Sequence, residues 1–168
     1  MNKKKLKYII FDNFKTISGA LIIALLIRSL IFQPFYIPSS SMEPNLLIGD
    51  RIFVSKYTYG YSKHSFPFSP SITNKRFFYK EPKQGDLVVF KTPADNSTDY
   101  IKRLIGLPGD VIQFKDGFLL INDKKIVRKI ERKVSNVRCG KLLLNVETFV
   151  ETLPNGFQYI ASYNKAGT

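Results

Sequence analysis

The feature that most constrains this chain is an almost uninterrupted apolar run from Phe14 to Phe32. It is densest at Ile17-Ser18-Gly19-Ala20-Leu21-Ile22-Ile23-Ala24-Leu25-Leu26-Ile27, and after Arg28 it resumes as Ser29-Leu30-Ile31-Phe32. A helix rises ~1.5 Å per residue, so this run would extend about 28 Å, close to the ~30 Å hydrocarbon core of a bilayer. Arg28 at one end and Lys15 at the other can reach the headgroups while their stems stay in apolar surroundings. A cleavable signal peptide shares the basic start and apolar middle. However, no Ala-x-Ala follows the run, and Arg28 and Pro34 stand where cleavage would fall. A buried core helix is the other reading, and the length of the run and its basic flanks argue against it. The sequence therefore predicts a retained transmembrane anchor over residues 14–33, behind a basic cytoplasmic segment over residues 1–13. Lys3, Lys4, Lys5, Lys7 and Lys15 place the N-terminus in the cytoplasm by the positive-inside rule, and residues 34–168 on the far side.

Charge and residue usage then exclude several classes. The formal net charge is +13, which calls for an anionic partner, phospholipid or nucleic acid. Base-reading motifs are missing and many lysines lie near the apolar run, so the expected partner is a lipid bilayer rich in anionic phospholipid, and no nucleic acid. One cysteine, Cys139, cannot form an internal disulfide. One histidine, His64, with no cysteine cluster, gives neither a zinc site nor a Ser-His-Asp triad. No metal or other cofactor is expected, and a serine nucleophile here needs a base other than histidine.

Beyond the anchor the pattern becomes strand-like. Candidate strands are Asp50–Tyr57, Gly85–Lys91, Tyr100–Ile105, Val111–Phe114 and Phe118–Ile121, with turns at Lys115-Asp116-Gly117 and Asn122-Asp123. Short β-branched and aromatic stretches parted by Gly, Pro, Asn and Asp predict a mainly β chain, an antiparallel domain after one helix. Residues 61–80 interleave aromatics with Ser, Pro and basic residues, which suits either a loop at the headgroup level or a solvated loop packed by its own rings. Lys124 to Lys133 reads as a solvated hairpin face.

Two segments carry possible chemistry. Pro38-Ser39-Ser40-Ser41-Met42-Glu43-Pro44 follows the apolar run by a few residues, and Asp99-Tyr100-Ile101-Lys102-Arg103 comes about sixty residues later. A serine hydroxyl attacks well only when a base takes its proton, and a lysine can be that base only when neutral. Apolar surroundings favour the neutral amine. In a strand, Tyr100, Lys102 and Leu104 share one face and Ile101, Arg103 and Ile105 the other, so Lys102 can face inward while Arg103 faces away. Arginine cannot be neutralised, which leaves Lys102 as the candidate base. Taken singly, a Ser-rich loop is usually a linker and a strand lysine is usually solvated.

Resemblance adds what spacing cannot. Pro34-Phe35-Tyr36-Ile37-Pro38-Ser39-Ser40-Ser41-Met42-Glu43-Pro44-Asn45-Leu46-Leu47-Ile48-Gly49-Asp50 resembles the nucleophile box of type I signal (leader) peptidases of the bacterial type. Gly85-Asp86-Leu87-Val88-Val89-Phe90-Lys91 resembles their next strand box, and Asp99 to Asp110 their lysine box. The likeness covers residues 15–125. It implies a signal-peptidase-type β domain and a serine endopeptidase of the inner membrane that removes signal peptides from exported pre-proteins. By position it makes Ser41 the nucleophile and Lys102 the general base, with the Ser39 hydroxyl and the Ser41 N–H as the oxyanion hole. Phe35, Ile37, Leu46, Tyr100 and Ile101 match positions lining shallow pockets for small substrate residues. Ser40 stands where the family usually has glycine. A late family box, Gly-Asp-Asn-x-x-x-Ser-x-Asp-Ser-Arg, has no counterpart here, so the chain is expected to be C-terminally incomplete.

Two other classes compete with this reading. A self-cleaving Ser-Lys repressor would need a DNA-binding domain, and no helix-turn-helix pattern is present. An inactive membrane-anchored fragment or β binding module would carry the same anchor and strands without turnover.

Overall fold

The computed structural model describes residues 3–66, 75–139 and 142–164. It divides into two compact units, one formed by Met1–Phe35 with Phe53–Lys80 and the other by Tyr36–Ile52 with Glu81–Thr168. Each is described by itself.

The first unit is dominated by α1 (Lys3–Leu30). Its stretch Lys7–Leu30, of 24 residues and mean hydropathy 1.7, is long and apolar enough to cross a membrane and has none of its apolar window buried by the protein. The helix starts upstream of the apolar run because Lys7 to Asn13 contains no proline or glycine to stop it. It ends before Phe32, where β-branched and aromatic residues and then Pro34 turn the chain into β1 (Phe32–Tyr36). A helix leaves its last carbonyls without intrahelical donors. Here the Tyr61 hydroxyl donates to the Leu30 carbonyl at 2.8 Å, and the Lys56 N–H donates to Ile31 O just past it at 2.9 Å. The unit also holds most of the two-stranded sheet that β1 makes with β2 (Arg51–Ser55). A single 3-10 turn follows at Lys63–Ser65. The Lys56 ammonium closes onto it by donating to Ser65 O at 2.7 Å. Of the loop expected over residues 61–80, residues 67–74 lie outside the described residues; Tyr61 and Phe77 pair as an isolated antiparallel bridge.

The second unit is antiparallel β throughout its described strands, as the punctuation of the sequence predicts. β3 (Leu87–Lys91) pairs with β4 (Asp99–Arg103). β5 (Ile112–Lys115), β6 (Phe118–Ile121) and β7 (Lys124–Lys125) form a meander. β8 (Val127–Cys139), β9 (Leu142–Thr152) and β10 (Gln158–Asn164) form a third sheet in the order β10-β9-β8. The hairpin turns have the expected chemistry. Asp116 and Gly117 have φ of 51° and 73°, and Asn122 and Asp123 have 51° and 63°. Left-handed pairs of this kind match the twist of flanking strands in two-residue hairpin loops. The core gathers Ile121, Ile126 and Leu153, with Ile105, Leu119 and Tyr159 packed against them.

Three turns in this unit share one construction. Leu47-Ile48-Gly49-Asp50, Lys83-Gln84-Gly85-Asp86 and Leu107-Pro108-Gly109-Asp110 each place glycine at a φ between 93° and 99°. In each, the aspartate carboxylate accepts the N–H of the first residue at 2.8 Å. The aspartate N–H returns to that residue's carbonyl at 3.2, 3.1 and 3.0 Å respectively. Only glycine takes such φ values without strain, and the aspartate locks the turn from its far end. These turns fix the starts of β2, β3 and β5; the first follows the serine segment and the third follows the strand that carries Lys102.

The expected solvated face over Lys124–Lys133 is more structured than its charge suggests. Lys124 and Lys125 are exposed, but Ile126 is buried and Arg128 is half-buried. The Arg128 guanidinium lies 4.0 Å from the Phe118 ring centre and 4.5 Å from that of Phe149. It also donates to Gly117 O at 2.7 Å. Long cationic side chains cover apolar surface with their stems and stack on rings, which a count of charges does not reveal.

Candidate active site

The serine segment runs from the end of β1 to the start of β2 as a closed loop. Its mouth is tied by the Ile37 N–H donating to Asp50 O at 3.0 Å and the Gly49 N–H donating to Ile37 O at 2.9 Å. Its floor is apolar, with Ile37 2% exposed and Met42 7% exposed. Between these anchors the chain turns tightly. The Glu43 N–H reaches Ser40 O at 2.9 Å and the Leu46 N–H reaches Met42 O at 3.0 Å. A buried methionine directly after Ser41 orients the serine outward, and Ser41 is indeed exposed. Ser39 and Ser41 bring their hydroxyl oxygens to 3.4 Å.

Lys102 comes from the other segment. β4 pairs with β3 so that Lys102 lies opposite Val88, Ile101 opposite Val89 and Tyr100 opposite Phe90. The strand is held at its start by an ion pair between Lys91 and Asp99 at 2.9 Å. The β3–β4 turn is braced by the Asp95 carboxylate, which accepts the Thr98 hydroxyl at 2.5 Å and the Ser97 and Thr98 N–H groups at 2.9 and 3.0 Å. Those donors, the Thr98 hydroxyl foremost, hold the Asp95 carboxyl far below the usual carboxylate range. On the strand so fixed, half-buried Lys102 donates a hydrogen bond from Nζ to Ser41 Oγ. The Tyr100 ring flanks it, its centre 5.9 Å from Nζ and in edge contact with Phe90 at 6.2 Å. A hydroxyl and an amine 61 residues apart in sequence thus meet at proton-transfer range.

Of the other residues singled out from sequence, Leu46 and Ile101 are half-buried and Tyr100 is exposed, all in this same unit. Ile101 lies on the face of β4 opposite to Lys102. Ile37 is core, and its described contacts serve the loop. Phe35 is half-buried on β1 and belongs to the first unit.

Arg103 faces away from Lys102, as strand alternation predicts, and it meets protein there. Its guanidinium donates to Gly85 O at 2.6 Å and lies 5.4 Å from the Phe157 ring centre and 5.1 Å from that of Tyr159. Burial pulls its pKa below the ordinary arginine value. Tyr159 continues inward by donating to Glu151 at 2.6 Å, and Tyr163 donates to the same carboxylate at 2.5 Å. Glu151 is 1% exposed. Burial first, and then the carboxylate beside them, pushes both tyrosines well above their ordinary range. β4 is therefore gripped from behind while Lys102 faces Ser41. Asn45 supplies a second fastening that the sequence reading missed, its side-chain amide donating to Ile160 O at 2.8 Å. Neither contact has a local sequence signal, since the rings on Arg103 belong to residues 157 and 159 and the partner of Asn45 is 115 positions away. The tripled Gly-Asp turn does have one, the pair repeated at 49–50, 85–86 and 109–110, and the sequence reading missed it. Among the described residues no group of three His, Cys, Asp or Glu side chains is arranged to hold a metal ion.

Comparison with known proteins gives the family. Residues 10–165 match the family model described as signal peptidase, peptidase S26. The chain belongs to this family. It is 45% identical over 152 residues to signal peptidase I of Rickettsia typhi, covering 89% of this chain and 56% of that protein. It is 46% identical over 152 residues to signal peptidase I of Rickettsia prowazekii, with the same coverage. Signal peptidase I of Rickettsia massiliae is 48% identical over 141 residues, 83% of this chain and 52% of the relative. The chain thus spans about half the length of the curated relatives it matches. For a peptidase S26 family member, a mainly β chain behind one apolar N-terminal helix is the fold expected from the resemblance.

Proposed function

We propose that this chain carries the serine–lysine centre of a membrane-bound endopeptidase that removes signal peptides from exported pre-proteins. The observation that carries the reading is the hydrogen bond between Lys102 Nζ and Ser41 Oγ. Family membership and the names of the Rickettsia relatives support the reaction class.

The chemistry follows from those two atoms. Lys102, as the free amine, takes the Ser41 proton while Oγ attacks the scissile carbonyl carbon. The oxyanion that develops is met by the Ser41 N–H and the Ser39 hydroxyl, whose oxygen is 3.4 Å from Ser41 Oγ in the resting site. Such donors act on charge that is absent from the ground state, and losing one typically costs about 10²–10³ in rate. The lysine then gives its proton to the departing amine, leaving an acyl-enzyme ester on Ser41. A water deprotonated by Lys102 hydrolyses that ester, and the amine and hydroxyl are regenerated.

α1 serves as the anchor of this reading, a single pass with the N-terminus in the cytoplasm and the serine outside. Eleven residues from Leu30 to Ser41 limit the serine to within about 40 Å of the helix end. Tethering in the same bilayer as the substrate's own apolar segment replaces bimolecular encounter by a high effective concentration. The basic N-terminal segment favours anionic lipid. The side chains of Leu46, Tyr100 and Ile101, in the same unit as Ser41 and Lys102, would meet small residues before the cut.

The test is cleavage of a purified pre-protein by the 168-residue chain in mixed micelles of detergent and phospholipid. Cleavage that is lost in both Ser41→Ala and Lys102→Ala supports the reading. Normal turnover in either variant refutes the dyad, and no turnover by the unmodified chain favours an anchored binding fragment.

A further inference from the structure

Phe78 is 83% exposed and has a φ of 53°, a left-handed conformation that an aromatic residue rarely adopts. Strain of this kind persists only where surrounding structure imposes it. Here the surroundings are explicit. Tyr61 and Phe77 exchange two backbone hydrogen bonds, at 2.9 and 2.8 Å. The Arg76 guanidinium donates to the carbonyls of Tyr59 and Gly60 at 3.3 and 3.4 Å. Gly60 lies so close that a Cβ there would fall 2.2 Å from Phe77 O and 2.5 Å from Phe78 O. The fold therefore holds Phe77-Phe78-Tyr79 rigidly and keeps all three rings out of the core, at 53%, 83% and 58% exposure.

The position of this tip relative to α1 is fixed within the same unit. Tyr61, which bridges Phe77 through its backbone, uses its hydroxyl to bond Leu30 O at the last residue of the helix. The aromatic tip is thus fastened at the level where α1 ends. Lys75, Arg76 and Lys80 flank it in sequence. Rings at the end of an apolar helix, bordered by cations, match the chemistry of the headgroup boundary, where aromatic side chains concentrate and anionic lipid attracts basic residues.

We propose that Phe77-Phe78-Tyr79 is a preformed wedge that inserts into the outer headgroup–acyl boundary of an anionic phospholipid bilayer, a second membrane contact beside α1. It rests on the reading of α1 as a membrane anchor. The strain at Phe78 fixes the orientation of the ring before contact, so insertion does not have to order a loop. The wedge holds the exit end of α1 and the strands that follow it in one orientation to the bilayer surface.

The chain contains no tryptophan, so a single introduced indole reports its own surroundings. Phe78→Trp, Tyr79→Trp and Leu21→Trp are each reconstituted as the full chain in vesicles of phosphatidylcholine and phosphatidylglycerol. Quenching is read from lipids with a nitroxide at acyl carbon 5 or carbon 12, and from aqueous iodide. The wedge requires both tip variants to be quenched more by carbon 5 than by carbon 12 and shielded from iodide, about 5–10 Å below the surface. Leu21→Trp should be quenched most by carbon 12. If Leu21→Trp behaves so but the tip variants are open to iodide, the wedge is wrong and the anchor stands. Tip indoles shielded from iodide yet unquenched by lipid would assign the surface to a protein partner and overturn the wedge. If Leu21→Trp is itself open to iodide, both readings fall. Vesicles of phosphatidylcholine alone should weaken the carbon-5 quenching at the tip, and unchanged quenching would refute the anionic preference.

Discussion

Replacing Gly85 by alanine should damage the second unit more than the same change at Gly109, and the difference can be worked out from the site. Both glycines have positive φ, 99° and 93°. Each therefore incurs the cost of forcing an L-residue into that region, about 1–2 kcal/mol. At Gly109 an added Cβ meets nothing within 4 Å. At Gly85 it would lie 2.5 to 3.0 Å from three atoms of the Phe157 ring. That ring also lies against Arg103, whose guanidinium bonds Gly85 O, so it cannot retreat without loosening the back of β4. Overpacking of this kind costs about 1–3 kcal/mol. Gly85→Ala should thus cost about 2–5 kcal/mol in total, and Gly109→Ala about 1–2 kcal/mol. Urea unfolding followed by β-sheet circular dichroism, on the full chain in micelles, reads both values. Equal losses in the two variants would refute the claim that Phe157 and Arg103 grip the strand carrying Lys102.

Other outcomes follow from the same contacts. The Leu107 N–H, then Asn122 and Gln84, hold the Asp110 carboxyl below its ordinary value. Its folded pKa is depressed, so the stabilisation is complete above about pH 4, the unfolded value, and is lost as pH falls through the folded one. Asp110→Asn should flatten the acid side of a stability–pH curve, and an unchanged slope there would contradict this. Glu151→Ala leaves two tyrosine hydroxyls without their acceptor, and at about 1–3 kcal/mol for each buried unsatisfied group the unit should lose roughly 2–6 kcal/mol. Unfolding midpoints compared with Tyr159→Phe, which removes one partner only and should cost less, check this ordering. Phe78→Asn relieves the left-handed strain and should raise stability by up to about 1 kcal/mol, since asparagine tolerates that region. A loss of stability instead would mean that the Phe78 ring supports the fold.

How much of this was readable in the chain can be judged residue by residue. The long apolar helix was legible because an apolar run of that length has few alternatives, although it reaches back to Lys3 through Tyr8-Ile9-Ile10-Phe11, an apolar stretch set apart from the run by Asp12 and Asn13. The hairpin turns were legible because Asp116-Gly117 and Asn122-Asp123 are local solutions to a local backbone demand. The meeting of Ser41 and Lys102 was not a local matter. Alternation on β4 placed Lys102 and Arg103 on opposite faces, but only the resemblance to signal peptidases connected that strand to the serine loop. Alternation also set Arg103 facing away from Lys102, but it could not say what that face would meet. β4 has protein on both sides, so the arginine is stacked on Phe157 and Tyr159 and not solvated. Glu151 was invisible for a similar reason. A lone acid in a β pattern looks like surface until two tyrosines from the neighbouring strand are seen to satisfy it.

The most direct measurement is the mass of the acyl-enzyme. The full chain is mixed with a pre-protein in lipid micelles, quenched in acid at short times and mapped by peptide mass spectrometry. The proposed mechanism requires an ester adduct of the substrate's N-terminal fragment on Ser41, absent when Lys102 is replaced by alanine and preserved in Ser40→Ala. An adduct on Ser39 or Ser40, or one that forms on Ser41 equally well without Lys102, would contradict the serine–lysine centre.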